Sequence, residues 1–367
     1  MNNNNKIGFL LSKEFDESKN FLKENFYDGK TYEISLTLPK HELTSLLNTS
    51  GKYPITTKNN YVIVDGLNEK EGANIIDKGA YINECHLILF GAPSLNELYE
   101  KLNNFDFRSA YPILPEHSFA VRTLKIIQNN NIDSGITSMD IERKVGAIIK
   151  NKTNSPVNLK NPDKTIKIII LDNIIYFAIL INERNKEYYL KNRPHLRAYF
   201  HPGCILPKLA RCMVNMAQLK EGDIILDPFC GTGGFLIEGG LIGCKLIGSD
   251  IDNRMVQGAL LNLKTYELDN NVISIKQWDA LDAKNYLKSL NIEKVDTIIT
   301  DPPYGMSTAK KGDIEHILNN LKECLKDGGY LIFASPTILN LEDLELEGLY
   351  SIYIHKSLTR YIHIYKK

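Results

Sequence analysis

Tryptophan is nearly missing from this 367-residue chain, which carries one copy, Trp278. Cysteine occurs six times, at Cys85, Cys204, Cys212, Cys230, Cys244 and Cys324, without a C-x-x-C pair. That scatter argues against a zinc site and against a disulfide framework, so buried free thiols and no metal are expected. Long apolar runs are missing too. The most apolar stretch, Ile166 to Ile181, is broken by Lys167, Asp172 and Asn173. It reads as a β-hairpin turning at Asp172-Asn173, not as a membrane span. The opening Met1-Asn2-Asn3-Asn4-Asn5 shows no charged-then-apolar export pattern. A cytoplasmic protein without a membrane partner is expected.

Net charge is also lacking, with 44 Lys+Arg against 44 Asp+Glu, but the balance is uneven along the chain. Residues 1–100 hold ten basic and fourteen acidic side chains, residues 101–200 sixteen and nine, and residues 201–367 eighteen and twenty-one. A basic middle between acidic flanks suits either a local polyanion-binding surface or a solvated face with no partner. Hydrophobic content of 43% and charged content of 24% are those of a globular protein long enough for two or three domains.

The asparagine tract runs into a helical pattern at Phe15, Phe21, Leu22 and Phe26. A strand over Tyr32 to Leu38 and a helix with Pro39 in its first turn follow, with Leu43, Leu46 and Leu47 on one face. Further strands at Tyr61–Gly66 and Cys85–Phe90, with a helix between, suggest a small α+β sandwich. Between Pro112 and Asn182 the pattern is a strand (Ser118–Arg122), a helix capped by Ser138, and the 167–181 hairpin. Arg122, Lys125, Arg143, Lys144, Lys150, Lys152 and Lys160 make this stretch basic. Phosphate binding by such groups gives salt-dependent affinity with little sequence reading. The polar run Glu183–Lys191 reads as an interdomain linker or a linking helix. Arg193-Pro194-His195-Leu196-Arg197-Ala198-Tyr199-Phe200-His201-Pro202 then mixes cations and aromatics that suit nucleic-acid contact or domain docking. His195 and His201 are read as structural or RNA-contacting.

Chemistry gathers in the last third. Asp223–Phe229 reads as a strand running into Cys230-Gly231-Thr232-Gly233-Gly234 and a helix, the nucleotide-binding arrangement of doubly wound folds. Leu236 stands where a dinucleotide fingerprint needs glycine, and Asp227 is a poor neighbour for a pyrophosphate. The same acid suits the cationic amino-acid end of S-adenosylmethionine. Asp250 ends the next strand at the spacing of a ribose-gripping carboxylate. Asp279, followed by Ala280, ends the third near an expected adenine. The fourth strand ends in Asp301-Pro302-Pro303-Tyr304, where two prolines stop the ladder rigidly. A helix (Ile314–Leu325), a C-cap turn at Lys326–Gly329, a fifth strand (Tyr330–Ala334) and a closing antiparallel pair (Tyr350–His355, Thr359–Tyr365) complete the pattern.

On these residues the chain resembles the class I S-adenosylmethionine-dependent amino-methyltransferases. More closely, it resembles the archaeal tRNA guanine-10 N2-methyltransferases and their eukaryotic relatives. Pro207-Lys208-Leu209-Ala210-Arg211, Leu226–Gly233, Asp301–Thr308 and His355–Arg360 carry that likeness. Phe119–Arg122, Val145-Gly146 and Asn161-Pro162-Asp163 resemble a THUMP domain. The resemblance implies an α/β fold: an N-terminal ferredoxin-like region (1–112), a THUMP RNA-binding domain (113–183), a linker (184–200) and a Rossmann-like methyltransferase domain (201–367). It also implies S-adenosyl-L-methionine as cofactor, tRNA as partner and a monomeric chain. Asp227, Gly231, Gly233, Asp250, Asp279 and Ala280 are the expected cofactor contacts. Asp301, Pro302 and Tyr304 are the expected catalytic group, and Arg122, Arg143, Lys144, Lys150, Arg193 and Arg197 the expected RNA contacts. A DNA amino-methyltransferase, an N2-guanine enzyme for another tRNA position such as 6, and a non-catalytic RNA-binding protein remain the alternatives.

Overall fold

The computed structural model describes residues 5–14, 37–107, 113–126, 135–303, 311–355 and 358–367. The helical pattern at Phe15–Phe26, most of the strand expected from Tyr32, and Tyr304 lie outside them. In the first half of the chain the elements are β1 (Lys6–Leu11), α1 (Leu38–Asn48), β2 (Ile55–Lys58), β3 (Tyr61–Asp65), α2 (Glu69–Lys78), β4 (Ile82–Ala92) and α3 (Leu95–Asn104). There follow β5 (Phe119–Ile126), α4 (Ser138–Thr153), β6 (Lys164–Leu171) and β7 (Ile174–Glu183). Two units result, drawn from the described residues within Met1–Lys13, Lys52–Asp77 and Ile82–Arg184, and within Glu14–Gly51, Lys78–Tyr81 and Asn185–Lys367.

The first unit holds one seven-stranded sheet, ordered β2-β3-β1-β4-β7-β6-β5. β1 begins where the sequence suggests only an asparagine tract. Ile7, Phe9 and Leu11 are buried along it, and it lies antiparallel to both β3 and β4. Gly8 on β1 is required by a close approach, since a Cβ there would lie 1.9 Å from the Tyr61 hydroxyl. That hydroxyl meets His86 Nδ1 at 3.2 Å, and His86 Nε2 and Lys167 Nζ both reach Glu84, at 2.9 and 2.6 Å. Burial alone would raise the Glu84 pKa, but the bonds from His86 and Lys167 outweigh it and hold it at about 2. The regions 1–112 and 113–183, separate in the sequence reading, share this sheet because β4 pairs antiparallel with β7. The hairpin turns at Asp172-Asn173 as expected.

Helix α4 is capped one residue earlier than the sequence reading places it. Thr137, extended at φ −82° and ψ 160°, accepts from Asp140 N while the Asp140 carboxylate accepts from Thr137 N, leaving Ser138 as the first helical residue. Ile141, Val145, Ile149 and Thr153 face the core, and Arg143, Lys144 and Lys150 are exposed.

The second unit contains α5 (Lys186–Lys191), α6 (Pro207–Met216), β8 (Ile224–Asp227), α7 (Gly234–Leu241), β9 (Lys245–Asp250), α8 (Asn253–Thr265), β10 (Val272–Gln277) and α9 (Ala283–Ser289). It ends with β11 (Val295–Thr300), α10 (Lys311–Leu321), β12 (Leu325–Ser335), β13 (Glu345–His355) and β14 (Leu358–Lys366). Its sheet runs β10-β9-β8-β11-β12-β14-β13, parallel except that β14 is antiparallel to both neighbours. Lys326–Gly329, expected as a helix C-cap turn, instead lies within β12. There Gly328 adopts φ +78°, and its N–H and the Gly329 carbonyl pair with Lys367.

Helix α1 also differs from the sequence reading, which keeps it with residues 1–112. It packs in the second unit, where the wholly buried Glu42 accepts from Ala80 N, Tyr81 N and Asn215 Nδ2, each at 2.7 Å. An amphipathic period shows that a helix has an apolar face but not which core that face meets.

Candidate active site

The parallel strands of the second unit bring three carboxylates to one edge. Asp227 ends β8, Asp250 ends β9, and Asp301 follows β11. Asp227 and Asp301 line an open cleft with about 520 Å³ of empty space, together with the glycine loop Cys230–Thr232, Gly234, Met255 and the segment His201–Ile205. The loop needs glycine where the backbone turns left-handed, at Gly231 (φ +49°) and Gly233 (φ +83°). Gly231 N–H donates to Asp250 Oδ2 at 3.0 Å and Asp252 N–H to Oδ1 at 2.9 Å, so Asp250 braces the loop.

Asp227 is 1% exposed and accepts from Thr300 Oγ1 at 2.8 Å and from Phe229 N at 3.2 Å. Burial pushes its pKa up to about 8 against those two bonds, and the charges of Asp250 and Asp301 push the same way. Burial likewise raises Asp250. Such a cleft lowers the free energy of a cationic ligand, which returns Asp227 to the charged form. The sulfonium and ammonium of S-adenosylmethionine fit that requirement.

Asp301 Oδ2 pairs with an Arg360 guanidinium nitrogen at 3.1 Å, and both side chains are largely buried. Pro302 is buried and Pro303 exposed. Tyr304 lies outside the described residues. Asp279 is exposed and accepts from Leu281 N at 2.9 Å, capping a 3-10 turn in which Ala280 is buried.

The expected RNA contacts divide. Arg143, Lys150 and Arg193 are exposed, and exposed Lys144 places its ammonium 3.9 Å from the centroid of the Tyr99 ring. Arg122 is half-buried and donates to the Val121 and Leu159 carbonyls, at 3.1 and 2.7 Å, so it ties a loop to β5. Arg197 departs from the expectation. It is 8% exposed, not on the surface, and its charge acts on Glu238 and Tyr266 inside the second unit.

The sequence gives no sign of how 197–205 is held. Asn262 on α8 accepts from Tyr199 N at 2.8 Å and donates to the Tyr199 and Thr232 carbonyls, both at 2.9 Å. Gly258 makes room for the Tyr199 ring, which a Cβ there would meet at 2.1 Å. The apolar spacing of α8 foretells neither task. Arg360 is likewise absent from the expected site residues, although it closes the His355–Arg360 motif.

Comparison with known proteins follows the same division. A THUMP domain family model matches residues 93–180, and the UPF0020 model, an RMKL-like methyltransferase domain, matches residues 194–347. The tRNA (guanine(10)-N2)-dimethyltransferase of Methanocaldococcus jannaschii is 49% identical over 90% of this chain and 96% of that protein. Its counterpart from Methanothermobacter thermautotrophicus is 36% identical, with the same coverage of both chains. Among solved structures, TrmN from Thermus thermophilus shares the fold with a TM-score of 0.54 at 18% identity, covering 89% of this chain and 95% of that one. The likeness to the two archaeal proteins, covering 90% of the chain and both the THUMP and the methyltransferase matches, means that this chain belongs to the tRNA (guanine(10)-N2)-dimethyltransferase family.

Proposed function

We propose that this protein methylates the exocyclic N2 amine of guanosine 10 in tRNA, using S-adenosylmethionine, and adds two methyl groups in succession. The observation that carries the reading is the carboxylate corner of Asp227, Asp250 and Asp301 at the strand ends, in a chain related along 90% of its length to proteins named for this reaction.

The bound cofactor supplies an electrophilic methyl group. The protein supplies a nucleophile-holding corner. The guanine amine is weakly nucleophilic because its lone pair is conjugated with the ring. Asp301 and the Pro302 carbonyl accept its two N–H bonds and draw that lone pair out of conjugation, and the paired prolines keep both acceptors in place. Tyr304 is assigned by its place in the motif to stack on the base. The base leaves its stack to reach this strand-end cleft. After the first transfer one N–H remains for Asp301, so a second transfer is open to the same geometry. The deciding experiment gives unmodified tRNA and labelled methyl donor to the full chain, then maps the modified nucleotide and counts its methyl groups. Two methyls on the N2 of guanosine 10 are expected. Methylation at another tRNA position, on DNA, or nowhere would replace this reading by the corresponding alternative.

Cofactor affinity should rise with pH. Free Asp227 is protonated below about pH 8, and a bound cation selects its carboxylate. Binding therefore releases protons, and affinity weakens as pH falls below 8, by up to about tenfold per unit, while levelling above it. Calorimetric titration from pH 6 to 9 in buffers of different ionisation heat measures both effects. Asp227→Asn should abolish the slope, and a flat wild-type profile would refute the account.

The exposed face of α4 is assigned to tRNA phosphates. Arg143→Ala combined with Lys144→Ala should weaken tRNA binding and lower the slope of log affinity against log salt by about 1 for each phosphate no longer neutralised. An unchanged slope would leave these residues as a solvated face.

A further inference from the structure

The antiparallel direction of β14 has a chemical result. It sets the beginning of that strand, rather than its end, at the carboxyl edge of the parallel strands. Arg360, third residue of β14, thereby reaches past β12 to Asp301, with its side chain 11% exposed and that of Asp301 16%. Among the described residues, the charged groups acting on this corner include Asp227 from β8, Asp250 from β9 and Arg360 from β14, with Asp252 and His201 acting on Asp250. Asp227 and Asp250 are carboxylates, which disfavour a third charge nearby; the guanidinium favours it.

We propose that Arg360 is a positioning residue for methyl transfer, which by pairing with Asp301 Oδ2 keeps that group ionised and oriented in the cleft. The proposal rests on the reading of Asp301 as acceptor for the guanine amine. In each transfer the amine nitrogen forms a bond to the methyl carbon. The carbon–sulfur bond breaks with its electron pair remaining on sulfur, and the proton leaves nitrogen through Asp301 to water. The Arg360 pairing makes Asp301 a poor keeper of that proton, so the carboxylate is restored before a second transfer. Arginine suits this task because its charge persists throughout the pH range and its planar fork fixes the carboxylate's orientation.

The test is single-turnover methylation of unmodified tRNA by the full chain from pH 5.5 to 9, with KM for tRNA measured alongside. Arg360→Gln is expected to move the acidic limb of the rate profile up by about 1–3 pH units, with KM changed less than about threefold. Arg360→Lys should keep the limb within about half a unit of wild type while lowering the rate, because one ammonium holds the carboxylate's charge but not its orientation. Arg360→Met serves if the glutamine variant does not fold. An unmoved limb in the uncharged variant, a change confined to KM, or a lysine limb displaced as far as that of glutamine would each overturn the proposal. Wild-type protein that leaves guanosine unmethylated would remove the underlying reading instead; wild-type activity with unmoved variant profiles removes only the role of Arg360.

Discussion

Asp301→Ala is expected to lower the rate of methyl transfer by on the order of 10²–10³-fold, the usual cost of removing one preorganised acceptor from a reacting group. The cleft keeps Asp227 and Asp250, and Asp250 still braces the glycine loop through Gly231 N. Cofactor affinity should therefore stay within roughly tenfold of wild type, since one of several nearby charges is removed. The two quantities separate chemistry from binding when single-turnover methylation is measured beside equilibrium cofactor titration. A near-wild-type rate in the alanine variant would move the chemistry away from this strand end. A cofactor affinity that collapses together with the rate would make Asp301 chiefly a binding residue.

The second large effect lies behind the cleft. Arg211 on α6 donates through Nε to Glu238 on α7 at 2.8 Å, with side chains 8% and 1% exposed, and Tyr188 Oη also donates to Glu238 at 3.2 Å. Arg211→Met leaves a buried carboxylate without its main counter-charge and should destabilise the fold by roughly 3–5 kcal/mol near neutral pH. Burial raises the Glu238 pKa, and losing Arg211 raises it further. A raised folded-state value contributes stability below the unfolded carboxylate pKa and loses it as pH rises through the folded value. The deficit of the variant should therefore be smaller at pH 4–5 than at pH 8, and Arg211→Met with Glu238→Leu should recover most of it. Denaturant titration at the two pH values checks this. A loss below about 1 kcal/mol would mean that Arg197, which also acts on Glu238, takes over the pairing.

The catalytic half is the more legible in sequence because its signals are local. β9 ends at Asp250, as expected, β8 lies within the expected Asp223–Phe229, and β11 stops one residue short of Asp301. β8, β10 and β11 are rich in β-branched residues, and the acids, glycines and prolines at the strand ends act on the backbone where they stand. The strand-end acids Asp227, Asp250 and Asp301 are legible in sequence for the same reason. β1 is harder to see, because an asparagine tract leads into it and Gly8 interrupts its apolar residues. That glycine has a reason only once β3 brings Tyr61 across it.

Sequence alone determined the strands of the catalytic half that carry the acids, the glycine loop and the family likeness. Tertiary structure decided which core α1 joins, that one sheet unites the first unit, and that Arg197 is buried among Glu238 and Tyr266 rather than exposed. It also decided that Arg360, 59 residues after Asp301 in the chain, is its ion-pair partner. These outcomes depend on pairings between distant segments, and a hydrophobic period or a charge count carries no information about which distant segment will be met.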